Sequence, residues 1–266
     1  LINSMLFNCE AWHNFSQSQV EAFEKIYEAL LRGLVLGHAK IPVSALYLET
    51  GQVPVRYLLA CRRLLYLQTI LQRDSDELIH KVYIAQKAAP SPGDFCQLVD
   101  KDRQLLDCLF TDEQIASISK YDFKTILKKK AKEEAFRTLM SIKESKSKMD
   151  NISYTNSFQT QPYLTSTSRT NSSLLMALRT RTVRGIRSEF GEMYSSKQCP
   201  LQGCSAPDSL PHTLICQVLI AAVPEPSLVQ YGDVFSDIVA LQETAVTRFA
   251  LLLEARERIF DSTDTH

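Results

Sequence analysis

In the stretch CPLQGCSAPDSLPHTLIC, Cys199, Cys204, His212 and Cys216 bring three thiolates and one imidazole into eighteen positions. Soft sulfur combined with a borderline nitrogen is the donor set of a tetrahedral zinc-type site. The spacing is Cys199-x4-Cys204-x7-His212-x3-Cys216. The last gap sets His212 and Cys216 on one face of a helical turn, and the first stands at the upper limit for a ligand pair. Pro200 and Gly203 let the chain turn tightly between the first two donors, and residues 208–211 make a second turn before the third. With four protein ligands and no open position the centre would be structural, fixing a loop-rich segment whose own apolar core is too small to fold. The expected cofactor is therefore structural Zn.

The second chemistry in the sequence is cationic. The formal net charge is zero, yet residues 124–197 hold fifteen Lys and Arg against six Asp and Glu, so the remainder carries the opposite excess. Between Lys124 and Lys148 nine basic residues face three acidic ones. Candidate phosphate ligands are Lys124, Lys128, Lys129, Lys130, Lys132 and Arg137, followed by Arg179, Arg181, Arg184 and Arg187 spaced along an expected helix in LLMALRTRTVRGIR. Each neutralised phosphate releases a condensed counterion, so such a row yields salt-sensitive, sequence-indifferent affinity. Arginine's planar fork adds a match to phosphate oxygens and base edges. The plainer readings are a solvated helix face and a scatter of surface arginines. No GxxxxGK, HExxH, GxSxG or adjacent Asp pair is present, so no catalytic residue is expected and the chain is not expected to be an enzyme on its own.

Helices must position both groups. The chain of 266 residues is 45% hydrophobic and 23% charged, the composition of a globular protein. It contains no run of eighteen apolar residues and no signal-peptide pattern, which points to an intracellular protein with no membrane partner. Cys9, Cys61, Cys96 and Cys108 sit singly among apolar neighbours, as reduced core thiols do. Leu1 in place of an initiator methionine suggests a piece of a longer polypeptide. Ser18 and Glu21 read as a reciprocal cap opening an amphipathic helix. VRYLLACRRLLYLQTILQ is apolar nearly all round except at Arg56, Arg62, Arg63 and Gln68 and belongs at the centre of a bundle, with its arginines as the exposed stripe. YDFKTILKKKAKEEAFRTLMSIKESKSKM carries an apolar strip from Phe123 to Ile142, while residues 153–173, thirteen of them Ser, Thr or Asn, read as a linker. Ser236 would cap a long last helix that packs back on the rest or, as an alternative, binds a partner. The expected class is mainly α: a helical bundle over 1–150, a polar linker and basic helix over 151–190, a CCHC zinc-knuckle module over 191–225, and a C-terminal amphipathic helix over 226–266.

LINSMLFNCEAW, EKIYEALLRGLVLGH, PVSALYLETGQVPVRYLLACRRLLYLQTIL, DELIHKVYIAQ, the cysteine stretch and QYGDVFSDIVALQETAVTRFALLLEARERI, in that order, resemble landmarks in the C-terminal part of non-LTR (LINE-type) retrotransposon reverse transcriptases. The resemblance spans nearly the whole chain. It implies a thumb-like helical region followed by a CCHC knuckle formed by Cys199, Cys204, His212 and Cys216. It also implies nucleic-acid partners, namely RNA template, DNA primer or target, and upstream polymerase domains in the parent chain. Residence would be in the nucleus during integration and in the cytoplasm within the ribonucleoprotein. The family usually has two residues between the first cysteines, where this chain has four. Two other readings stand beside it: a protein-interaction module or host-adopted zinc-binding protein, and a remnant of an endonuclease-associated region.

Overall fold

The computed structural model describes residues 16–35, 41–144, 158–183, 198–201, 203–223, 229–236 and 239–263, with 6, 8, 9, 149, 152, 154 and 186. The fold is mainly α. No strand occurs among the described residues, whose extended pairing is an isolated antiparallel bridge between Gln198 and Pro207. The helices are α1 (Gln17–Leu34), α2 (Val43–Thr50), α3 (Val55–Leu71), α4 (Leu78–Ala88), α5 (Phe95–Leu105), α6 (Asp112–Ser117) and α7 (Lys120–Glu144), then α8 (Tyr163–Ser166), α9 (Arg169–Arg179), α10 (Leu210–Ile215), α11 (Gln217–Ala222) and α12 (Val239–Thr263). A 3-10 turn at Tyr231–Phe235 precedes α12. None of these helices is long and apolar enough to cross a membrane.

Contacts divide the chain into two compact units, one of Leu1–Leu30 with Gly51–Ser141, the other of Leu31–Thr50 with Ile142–His266. In the first unit α1 opens on a reciprocal cap: Ser16 Oγ accepts from the Gln19 N–H at 3.3 Å and Gln19 Oε1 accepts from the Ser16 N–H at 2.8 Å. The cap thus lies two residues before the expected Ser18 and Glu21 pair, because the helix already runs from Gln17. Helix α3 is central, packing against α4, α5 and α6. Its polar residues are not one exposed stripe. Arg63 is buried against Asp102, with Nη2 donating to Oδ1 at 2.7 Å, and Gln68 is buried with Nε2 donating to the carbonyls of Ile115 and Ile118. Arg56 reaches Glu24 on α1, and Arg62 donates to the Leu6 carbonyl at 2.7 Å. Helix α7 buries Phe123, Leu127, Ala131, Ala135 and Leu139, a stripe at four-residue spacing. Cys9, Cys61, Cys96 and Cys108 are buried and form no disulfide among the described residues.

In the second unit a buried carboxylate gathers several elements. Glu49, fully buried at the end of α2, accepts from Tyr154 Oη at 2.9 Å, Tyr163 Oη at 3.0 Å and Arg179 Nε at 3.1 Å. Arg179 Nη1 donates on to the Val234 carbonyl, and its guanidinium lies over the rings of Tyr163 and Phe235. Part of the expected linker is helical. Ser168 Oγ caps α9 by accepting from the Asn171 N–H, and the buried Ser172 hydroxyl is satisfied by the carbonyls of Tyr163 and Ser168. Helix α9 then stops: Arg181 takes φ 50°, with Thr182 N–H donating to Ala177 O at 2.8 Å and Arg181 N–H to Leu178 O at 3.2 Å. That is a Schellman ending. Helix α12 buries Ala245, Val246, Phe249, Leu252 and Ala255, and carries α9, α10, α11 and the 3-10 turn on its sides.

Arg179→Met should strand the Glu49 carboxylate in the core and cost about 3–5 kcal/mol in urea denaturation. Adding Glu49→Gln removes the buried charge and should restore part of that loss.

Candidate functional site

The four sequence-selected donors converge. The ligand atoms of Cys199, Cys204, His212 and Cys216 all lie within 4.8 Å of one another, so the cluster could hold a metal ion. His212 faces it through Nε2, which lies 3.3 Å from Cys204 Sγ. Local geometry brings them there in three steps. Cys199 N–H donates to Ala206 O at 2.8 Å beside the Gln198 to Pro207 bridge, folding the cysteine loop back on itself. Gly203, at φ 84°, makes the turn that lets Cys204 N–H reach Leu201 O at 3.1 Å. Ser209 Oγ caps α10 at the His212 N–H, and Cys216, which ends that helix, donates its N–H to His212 O at 2.8 Å. Burial, and after it the neighbouring Cys216 and Cys204 thiols, push the Cys199 thiol up to about 12 against an opposing backbone hydrogen bond at Leu201. A bound cation reverses that balance, since crowded thiolates are stable only around positive charge.

Two contacts fix the cluster on α12. Cys199, Leu201, Cys216, Leu219 and Val223 share one apolar core with Leu252 and Ala255, and Cys204 and Ile259 pack against it. Asp208, fully buried in the loop between Cys204 and His212, pairs with the buried Arg256: Nη1 donates to Oδ1 and Nη2 to Oδ2, each at 2.7 Å. Sequence reading took Asp208 as a turn former and missed Arg256. The available signal was the position of Arg256 on the apolar face of the last helix, four residues after Leu252 and three before Ile259.

The candidate cations part ways. Arg179 is a correction: it belongs to the core, held by Glu49, and presents no guanidinium to solvent. Arg181 follows the end of α9, so it does not continue a helical arginine row, and Arg184 and Arg187 lie outside the described residues. On α7, Lys129 is near Glu133 at 3.9 Å, Arg137 bonds Glu134 at 2.8 Å, and Lys130 Nζ donates to the Asp107 carbonyl at 2.6 Å. Lys124, Lys128 and Lys132 are exposed and form no ion pair among the described residues.

Those three lysines line one wall of a cavity of about 720 Å³ in the first unit, with Ala131 beside them. The facing wall is α3, through Leu58, Cys61, Arg62 and Leu65 at the i, i+3, i+4, i+7 spacing of one helical face, and Tyr27 of α1 contributes to the lining. Each lysine follows directly on a member of the buried stripe, Phe123, Leu127 or Ala131, so the row leans over the same side of α7 as the core contact. Among the described residues no carboxylate lines the cavity. Volume and lining are those of a ligand-sized site with an apolar floor and a cationic rim.

No protein-family model matches this chain, and neither does any curated protein or solved structure.

Chelation should release protection from hydrogen exchange over 198–223 and in the turns of α12 that carry Leu252, Ala255 and Arg256, leaving α3 and α7 unchanged. Equal loss in α3 and α10, measured peptide by peptide, would contradict a metal that serves this core alone.

Proposed function

We propose that the chain is a non-catalytic nucleic-acid-binding part of a reverse transcriptase of the non-LTR type, holding template and primer or target DNA, and that its cysteine and histidine cluster takes structural zinc. The observation that carries the binding role is the row of Lys124, Lys128 and Lys132 along a cavity wall that has no carboxylate among the described residues. Successive members are four residues apart, about 6 Å along the axis of α7 at helical rise. Such a line of like charges is unfavourable with nothing bound and is relieved by a polyanion, whose condensed counterions are released at the same time.

Zinc suits the donors because three thiolates and one imidazole exceed what hard cations accept, and tetrahedral closure leaves no position for substrate. The zinc therefore acts through folding, holding the second unit's loop against α12, and polymer synthesis belongs to the polymerase domains of the parent chain. The compartments implied are the cytoplasm when RNA is carried and the nucleus when target DNA is engaged. Support for the family itself comes from the ordered sequence landmarks, and in-frame codons upstream of Leu1 that lack a palm with paired aspartates would remove it.

Binding of a labelled primer and template hybrid is expected to weaken steeply as salt rises from about 50 to 200 mM. Changing Lys124, Lys128 and Lys132 together to Gln should lower affinity for all sequences alike and flatten the salt slope by about 2–3. Changing Lys129 and Arg137 to Gln should do much less, since acidic neighbours already offset both charges. An unchanged slope in the first variant, in titrations followed by anisotropy, would reject the binding role.

A further inference from the structure

Resting on the nucleic-acid reading, we infer that the cavity between α3 and α7 receives an unpaired nucleotide of a single strand, its base on the apolar floor and its flanking phosphates on Lys124, Lys128 and Lys132.

The lysine row by itself would serve any phosphate backbone. The floor distinguishes among them. Leu58 and Leu65 are only half-buried on the cavity face of α3, and the buried Tyr27 lines the same cavity, its hydroxyl donating to Gln52 at 3.1 Å. In a duplex the base faces are stacked inside and the outward surface is phosphate and sugar, so an apolar floor beneath it gains nothing. An unpaired nucleotide offers a base face to such a surface while its backbone stays at the rim; this is the plan of sequence-indifferent single-strand sites, with leucines here in the place that aromatic rings usually take. A volume of about 720 Å³ fits one or two nucleotides and is too small to seat a double helix.

The charge at the site agrees. Burial pushes the Cys61 thiol up to about 12 and raises the Tyr27 phenol, so both stay neutral at physiological pH and no described residue of the lining carries a negative charge against a phosphate. Arg62 serves as a fixed part of the wall, since it is bonded to the Leu6 carbonyl. The positive charges left to follow a ligand are the lysines, whose long stems let them track a backbone of variable path.

The test uses the whole chain and four probes in anisotropy titrations: a mixed-sequence twelve-nucleotide strand, the blunt duplex of that sequence, an abasic strand of equal length, and a nucleoside triphosphate as competitor. The single strand should bind about tenfold more tightly than either the duplex or the abasic strand, the scale of one sequestered base. The triphosphate should compete only weakly. Leu58→Ser with Leu65→Ser should bring the single strand down to the abasic level and leave duplex affinity unchanged. Unaltered melting of that variant shows that the floor and not the fold was lost, and Tyr27→Leu supplies a second floor variant should the pair melt early. Equal binding of intact and abasic strands, or a duplex preferred over a single strand, overturns the inference while leaving general nucleic-acid binding intact. A triphosphate as potent as the strand overturns it in favour of a small-nucleotide site. Binding of no polymer at all overturns both readings.

Discussion

A carboxylate and a guanidinium sealed from water hold each other in place only when both are present, because either one alone leaves a charge with no solvent and no partner. Asp208 and Arg256 impose that condition on the cysteine loop. Asp208 lies between the second and third candidate metal donors, so the geometry of the cluster depends on a residue of α12 outside the donor set. The apolar contacts of Cys199, Cys216 and Leu219 with Leu252 and Ala255 act in the same direction. The loop therefore has no separable core: one side of it is made of helix α12. A metal ion in the cluster would fix the donors relative to each other, and the ion pair fixes them relative to the helix. The Glu49 and Arg179 pair does for α2, α8, α9 and the 3-10 turn what Asp208 and Arg256 do for α10 and α12.

The same logic sorts the cations. A buried arginine is stabilised by a buried acid, and of the four arginines buried among the described residues Arg63, Arg179 and Arg256 each have one at full hydrogen-bonding distance. A surface lysine beside an acid gains little and loses mobility, which describes Lys129 and Lys130. Lys124, Lys128 and Lys132 fall in neither class. Their four-residue spacing copies that of the stripe Phe123, Leu127 and Ala131, one position on, so the packing that buries the stripe also aligns the lysines along the cavity.

The mainly α class and the convergence of four candidate metal donors were legible in the sequence for a physical reason they share: both are local. Helical periodicity repeats within a turn or two, and the four donors span a single short loop and helix. What could not be read is non-local. Arg63, Arg179 and Arg256 find partners 39, 130 and 48 residues away, so charge alone placed the first two on the surface and gave the third no role. Ser168 and Ser172 misled in another way. Composition marks such a stretch as too polar to bury, yet its hydroxyls bond to neighbouring backbone groups and so meet their own solvation needs inside a helix. The choice of three lysines from a run of five depended on which face α7 turns toward α3, and the apolar strip held that information in its spacing by fours.

Charge arithmetic separates what the two candidate sites contribute. Three thiolates and a neutral imidazole around a divalent ion sum to a single negative charge, so a zinc-loaded cluster repels phosphate rather than attracting it. Among the described residues the candidate arginines form no helical row: Arg179 is committed to Glu49, and α9 ends before Arg181. On the proposed reading, affinity for a polyanion arises in the first unit, where the lysine row and the apolar floor share one cavity, and a metal bound at the cluster would hold the second unit's loop on α12. Each component is thus accountable to a different measurement, chelation to local order and ionic strength to binding.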